Sequence, residues 1–299
     1  MPERRKPRIG LALGAGGARG WAHIGVIRAL NEKGIRPDVV CGTSMGALVG
    51  AAHAAGELDR LERWASGLAW TDVLKLVDVT WRGGLIKGQR LFDFFREQFQ
   101  DRDLAALAVP YGAVATELAT GREVWLRDGK VLDAVRASIA MPGIFTPFER
   151  DGALLVDGGL VNPVPVSMCR AFGADVVIAV DLGWAKLGRY RAQRNDAKEF
   201  HMPEWMERIS WLSRLAGEMS AEEESESAPS IVEAVLAAID IMQVRIARSR
   251  LAGEPADVLL TPVLADFATM DFHRAPEAIV EGRAALERMP PLLQQVMED

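Results

Sequence analysis

From Ile9 to Gly56 the chain reads IGLALGAGGARGWAHIGVIRALNEKGIRPDVVCGTSMGALVGAAHAAG. Ile9–Leu13 is short, apolar and ends in glycines, which predicts a buried strand. Gly14–Gly20 is then a loop, and Trp21–Lys33 a helix closed by Gly34. Pro37–Gly42 predicts a second strand. Ser44 follows it, and Met45–Ala55 reads as a helix of very small residues ending at Gly56. Strand, glycine-rich loop, helix, strand, sharp turn and helix make a βαβα unit, the building block of a parallel sheet.

The rest of the chain extends this pattern. Residues 57–100 look helical, broken by a loop at Arg82-Gly83-Gly84. Pro110–Leu118 and Arg122–Arg127 flank Thr120-Gly121 and read as strands joined by a tight turn. Val131–Ala140 is a helix stopped by Pro142. Ala153–Val156 is a short strand running into Asp157-Gly158-Gly159. Pro163–Phe172 is a helix and Asp175–Leu182 an apolar strand. After Gly183 the composition turns polar and charged, so residues 186–228 are expected to form an insert. Within it, Trp205–Met219 carries Trp205, Ile209, Leu212 and Met219 near one helical face beside Arg208 and Arg214, a pattern for an interfacial or lid-like helix; a helix packed on the protein itself fits equally. Order resumes near Ser227 and Pro229 with a helix whose stripe is Ile231, Val235, Ile239, Met242 and Ile246. A strand (Ala256–Thr261) and a helix (Pro276–Arg288) follow. The expectation is one domain over 1–299, with its core at about 8–183 and 229–288.

Composition excludes several classes. Apolar residues make up 49% and charged residues 25% of 299, enough for a sizeable core. The net charge of −6 and the lack of a basic stripe argue against nucleic acid as a partner. No apolar run approaches the ~18 residues of a membrane span. The basic start (Arg4, Arg5, Lys6, Arg8) and Ile9–Leu13 faintly resemble a signal peptide, but the apolar part is too short and lacks a cleavage site. Cys41 and Cys169 have no metal-like spacing and read as small buried residues in a reducing compartment. The expected location is therefore the cytoplasm, with peripheral membrane contact from outside. Neither composition nor spacing sets an oligomeric state.

Gly42-Thr43-Ser44-Met45-Gly46 has the form G-x-S-x-G between a strand and a helix. Such a turn exposes a serine hydroxyl above the sheet and aims helix amides at developing negative charge. A plain strand-to-helix turn with serine as cap is the competing reading. Gly14-Ala15-Gly16-Gly17-Ala18-Arg19-Gly20 leaves backbone N–H groups free to converge, as a phosphate cradle or an oxyanion hole. Its spacing is wrong for a dinucleotide loop, and no acidic residue ends the second strand. Arg19 would contact a lipid phosphate or pair with a carboxylate. The serine's base is sought among strand-end carboxylates and four histidines. Asp157 follows a strand, which should bring it to the edge of the sheet where Ser44 lies, and burial would raise its pKa. An Asp-Gly turn is the bland alternative. Asp181 is a second strand-end carboxylate. His23 and His53 sit inside helices and read as packed. His201 falls in the insert. His273 would complete the chain order of an α/β-hydrolase triad, although Ser44 comes unusually early for that fold.

Taken together, Gly16-Gly17-Ala18-Arg19-Gly20, Gly42-Thr43-Ser44-Met45-Gly46, Asp157-Gly158-Gly159 and the stretch Ala137–Phe145 resemble the patatin-like phospholipase family, closest to its bacterial branch related to the catalytic domain of neuropathy target esterase. The resemblance implies a three-layer α/β/α fold with a mainly parallel central sheet. It places the nucleophile at Ser44, its partner at Asp157 with no histidine, and oxyanion donors at Gly16, Gly17 and Ala18. It implies hydrolysis of phospholipid or lysophospholipid acyl esters with no metal or other cofactor. Ala15 departs from the family, where many members carry another glycine. The other readings are a Ser-Asp-His esterase using His273, a non-catalytic lipid-binding regulator and, behind these, a dinucleotide-binding protein.

Overall fold

The computed structural model describes residues 5–69, 89–98, 100–183 and 231–289. Eight strands form one sheet: β1 (Ile9–Leu13), β2 (Val39–Thr43), β3 (Tyr111–Glu117), β4 (Glu123–Leu126), β5 (Phe148–Arg150), β6 (Ala153–Asp157), β7 (Val176–Val180) and β8 (Val258–Leu260). β3, β2, β1, β7 and β8 lie side by side in that order, all parallel. β4 and β6 run antiparallel to β3, and β5 antiparallel to β6. The described helices are α1 (Ala22–Glu32), α2 (Met45–Ala54), α3 (Leu58–Ser66), α4 (Gln89–Gln98), α5 (Val131–Ser138), α6 (Val166–Ala171), α7 (Ile231–Gly253) and α8 (Ala275–Glu287).

The central parallel strands β1, β2 and β7 are buried along nearly their whole length because both faces are covered, as buried parallel sheets require. Along β1, Ile9, Leu11 and Leu13 enter one core and Ala12 the other, the two-residue alternation of a strand. The first core packs under α1, α2, α3, α5 and α8, and takes Phe92 and Phe95 of α4. The second takes Val166, Met168 and Cys169 of α6 and Ala247 of α7. Cys41 joins Cys169 there, and burial with that neighbour pushes the Cys41 thiol up. The result is a three-layer α/β fold with a mixed, mostly parallel sheet.

Most strand and helix expectations hold to within a few residues. Three local features differ from the sequence reading or escaped it. The helix expected from Trp21 starts at Ala22, but a 3-10 turn over Gly17–Trp21 precedes it, so part of the glycine-rich loop is already coiled. β5, only three residues long, gave no periodic signal. The stripe assigned to α7 is rotated: Val235 and Met242 are nearly half exposed, while Ile239, Gln243, Val244 and Ala247 are buried. A glutamine on the buried face misleads any reading that follows apolar side chains. The expected insert at 186–228, including Trp205–Met219, lies outside the described residues, as does the loop at Arg82-Gly83-Gly84. Among the described residues no helix is long and apolar enough to cross a membrane.

The pairing of β3 decides where the site forms. β4 pairs with Ala113–Thr116 of β3, overlapping both the β2 register (Tyr111–Val114) and the β6 register (Ala115–Glu117). A strand has two edges, so β4 occupies one and β2 and β6 share the other. β2 runs up that edge and β6 runs down it. Their carboxyl ends meet, with Thr43 opposite Val114 and Asp157 opposite Ala115.

Candidate active site

Ser44 follows β2 directly and caps α2 with φ 56° and ψ −123°. It is one of two described non-glycine residues with positive φ. Such a conformation costs on the order of 1–3 kcal/mol and persists only where the surroundings enforce it. Here they do: a Cβ on Gly46 would lie 2.1 Å from the Leu13 carbonyl oxygen, and one on Gly42 2.4 Å from the Gly46 carbonyl oxygen. The turn is that tight because α2 starts against the end of β1.

Ser44 Oγ donates to Asp157 Oδ2 at 2.6 Å. Both residues are buried, Ser44 at 4% and Asp157 at 0% exposure. Asp157 Oδ1 accepts from the Gly159 amide at 2.7 Å. Its own backbone is fixed on both sides, the N–H donating to Ala140 O and the carbonyl accepting from Thr116 Oγ1. Burial raises the Asp157 carboxyl from 3.8 to about 6, and the bonds from Ser44 and Gly159 hold it from rising further. A carboxyl tuned this way is a better proton acceptor than a free one.

The sequence expectation placed Asp157 with Ser44 because both follow strands. That reason needs correcting. β6 is antiparallel to β2, so a parallel-sheet argument would send their ends to opposite edges of the sheet. They meet because the two strands share one edge of β3 head to head.

Ser138 was missed. Its hydroxyl accepts from the Ser44 amide at 2.9 Å and donates to Val114 O at 2.6 Å, tying the serine turn to β3 at the junction of β2 and β6. The only sequence signal was its place in the Ala137–Phe145 block. Ser138→Ala is expected to strand a buried N–H and destabilise the fold by about 1–3 kcal/mol. Thermal unfolding checks this; an unchanged midpoint would mean that the Ser44 amide finds another acceptor.

The glycine-rich loop packs on the same turn, since a Cβ on Gly20 would lie 2.3 Å from Met45 Cβ. Gly14 N–H donates to Val180 O and Ala15 N–H to Pro163 O. The amides of Gly16 and Gly17 have no protein partner among the described residues. The Ala18 amide does: it donates to Thr269 O at 2.8 Å, so it is not free for a ligand. Arg19 is 3% exposed; its Nε donates to Gly16 O and its Nη2 pairs with Asp240. Of the two readings of Arg19, the carboxylate pairing is what occurs.

The described histidines lie apart from this pair, and His201 falls outside the described residues. His23 is fully buried, and its Nε2 must carry the proton because it faces the Gly14 carbonyl oxygen at 2.8 Å; burial lowers its pKa to about 4. Burial and Arg28 lower His53 as well. His273 is exposed, on the 3-10 turn Phe272–Arg274. Among the described residues no histidine bonds to Ser44 or Asp157. Asp181 is buried after β7, accepts from the Gly183 amide and is raised by desolvation.

Fold and site together define a three-layer α/β protein with a buried serine–carboxylate pair at the end of its second strand. Residues 11–170 match the patatin-like phospholipase family. An NTE family protein of Mycobacterium tuberculosis is 36% identical over 327 residues, covering 93% of this chain and 90% of its own length. The mouse patatin-like phospholipase domain-containing protein 7 is 37% identical over 184 residues, covering 58% of this chain and 14% of its own. VipD from Legionella pneumophila shares the fold, with a TM-score of 0.52 at 15% identity over 97% of this chain and 67% of that one. The chain belongs to the patatin-like phospholipase family.

Proposed function

We propose that this protein hydrolyses acyl esters of phospholipids or lysophospholipids through Ser44 and Asp157, with the Gly16 and Gly17 amides holding the oxyanion. The observation that carries the reading is the 2.6 Å bond between a strained, buried serine and a buried carboxyl raised to about 6. Ser44 Oγ attacks the ester carbonyl while Asp157 accepts its proton. The carbonyl oxygen becomes an oxyanion held by the two unpartnered amides, and the N-terminus of α2 adds favourable dipole. Asp157 returns the proton to the leaving alcohol. It then takes one from water, which attacks the acyl-enzyme, and passes it to Ser44 Oγ as the bond to the acyl group breaks and the fatty acid leaves. Ala18 has no part in this donor set, because its amide is already bonded.

Turnover of a panel of phospholipids, lysophospholipids and simple esters, with labelling by a fluorophosphonate probe, tests the reading. Labelling and lipid turnover are expected in the wild type and not in Ser44→Ala. A variant His273→Ala that loses turnover while Asp157→Asn keeps it would replace the dyad with a triad. Peripheral membrane contact, the second part of the partner reading, rests on Trp205–Met219 and is tested by liposome flotation with and without residues 200–220.

A further inference from the structure

The proposed reaction depends on the direction of one peptide, that between Gly16 and Gly17. Two residues without a Cβ flank it, Gly16 at φ 178° and ψ 7° and Gly17 at φ 55°. Half a turn of such a peptide meets little steric resistance. It would exchange the N–H donor for a carbonyl oxygen and repel the developing charge. The loop therefore needs an anchor.

Arg19 supplies one. Its Nε donates to Gly16 O at 2.9 Å. In a trans peptide the C=O and the following N–H point in opposite directions, so fixing this oxygen aims the Gly17 N–H away from Arg19. The guanidinium is 3% exposed, and burying a charge is costly unless it is paired. Its partner is Asp240 of α7, 221 positions along the chain, at 3.3 Å from Nη2. The other Asp240 oxygen accepts from Thr269 Oγ1 at 3.1 Å. Thr269 O accepts in turn from the Ala18 amide at 2.8 Å and lies 2.5 Å from where a Cβ on Gly17 would sit. One carboxylate thus grips the loop from two directions.

We propose that Asp240 is a positioning residue which, through Arg19 and Thr269, holds the Gly16–Gly17 peptide with its N–H turned to the reacting carbonyl, so that the seating of α7 determines whether the oxyanion hole exists. This rests on the hydrolase reading above. Asp240 touches no substrate. Its effect is confined to the stage at which negative charge develops, and it falls on kcat rather than KM.

The test compares wild type, Asp240→Ala, Asp240→Asn and Thr269→Val on a p-nitrophenyl acyl ester. It adds inhibition by an alkyl trifluoromethyl ketone, whose serine adduct carries the oxyanion, and by the free fatty acid, which does not. One oxyanion donor is worth about 10²–10³ in kcat. Asp240→Asn, which weakens the clamp without removing it, is expected to lose about tenfold in kcat with KM within about twofold. Ketone inhibition should weaken by the same factor and fatty-acid inhibition stay unchanged. Thr269→Val, which loses only the hydroxyl, should fall a few-fold in the same pattern. If Asp240→Ala does not fold, the other two variants decide. Asp240→Asn with wild-type kcat, or with kcat lost but ketone inhibition intact, overturns the clamp alone. A wild type without Ser44-dependent turnover overturns the hydrolase reading and the clamp with it.

Discussion

Asp157→Asn is expected to lose about 10⁴-fold in kcat and to become more stable at neutral pH. The first effect follows from the chemistry: an amide cannot take the Ser44 proton or activate water, and loss of an orienting carboxylate in a serine hydrolase site costs about that factor. The second follows from the raised carboxyl. Between about pH 4 and pH 6 the folded protein keeps a proton on Asp157 that the unfolded chain has already released. The folded state binds more protons there, so stability falls as pH rises through that window. A shift from 3.8 to about 6 corresponds to about 3 kcal/mol lost by pH 7. Asparagine is neutral at every pH and keeps an oxygen for the Gly159 amide. Unfolding in urea at pH 4 and pH 7.5 is the check. The two proteins should be close at pH 4, with the variant ahead by up to about 3 kcal/mol at pH 7.5. Equal pH dependence in both would mean that Asp157 titrates normally and is poorly suited as a base. In the wild type the same ionisation should give kcat/KM an acid limb with its midpoint near pH 6.

Ser44→Ala is expected to abolish fluorophosphonate labelling and to reduce ester turnover by on the order of 10⁴-fold or more, because the acyl-enzyme cannot form. It also removes the hydroxyl that steadies the ionised form of Asp157, so that carboxyl should move above about 6 and the activity-independent stability curve should shift its inflection to higher pH. Ser44→Gly separates the hydroxyl from the backbone. Both variants are inactive, but glycine relieves the positive φ, so it should unfold later than the alanine variant by about 1 kcal/mol. An alanine variant as stable as the glycine one would show that the turn is not strained. Taken with Asp157→Asn, the series describes a site held against its own stability, as catalytic centres commonly are.

The legible part of this protein lay in local pattern. Ile9–Leu13, Val39–Thr43 and Val176–Val180 are apolar runs bounded by turn residues, and each is a strand. Ser44 stood out as a candidate because its G-x-S-x-G turn lies between a strand and a helix, and Asp157 because it ends a strand in Asp-Gly-Gly; for each, an ordinary turn was the rival reading until the two were seen to bond. Ser138, Asp240 and Thr269 were not readable. Each is an ordinary polar residue on a helix or in a loop, and its partner is far away in the chain. Gln243 was hidden by the opposite problem, a polar side chain on the face of α7 that packs inward.

By itself the sequence determined the elements, their approximate bounds, the serine on its turn and the glycine loop beside it, because these depend on periodicity and on backbone conformations that only certain residues adopt. The tertiary structure alone decided that β6 runs against β2 along the same edge of β3, that the Ala18 amide is spent on Thr269, and that Arg19 is turned inward to Asp240. The physical reason is that hydrogen bonds and strand pairings between distant segments leave no spacing in the chain from which they could be read.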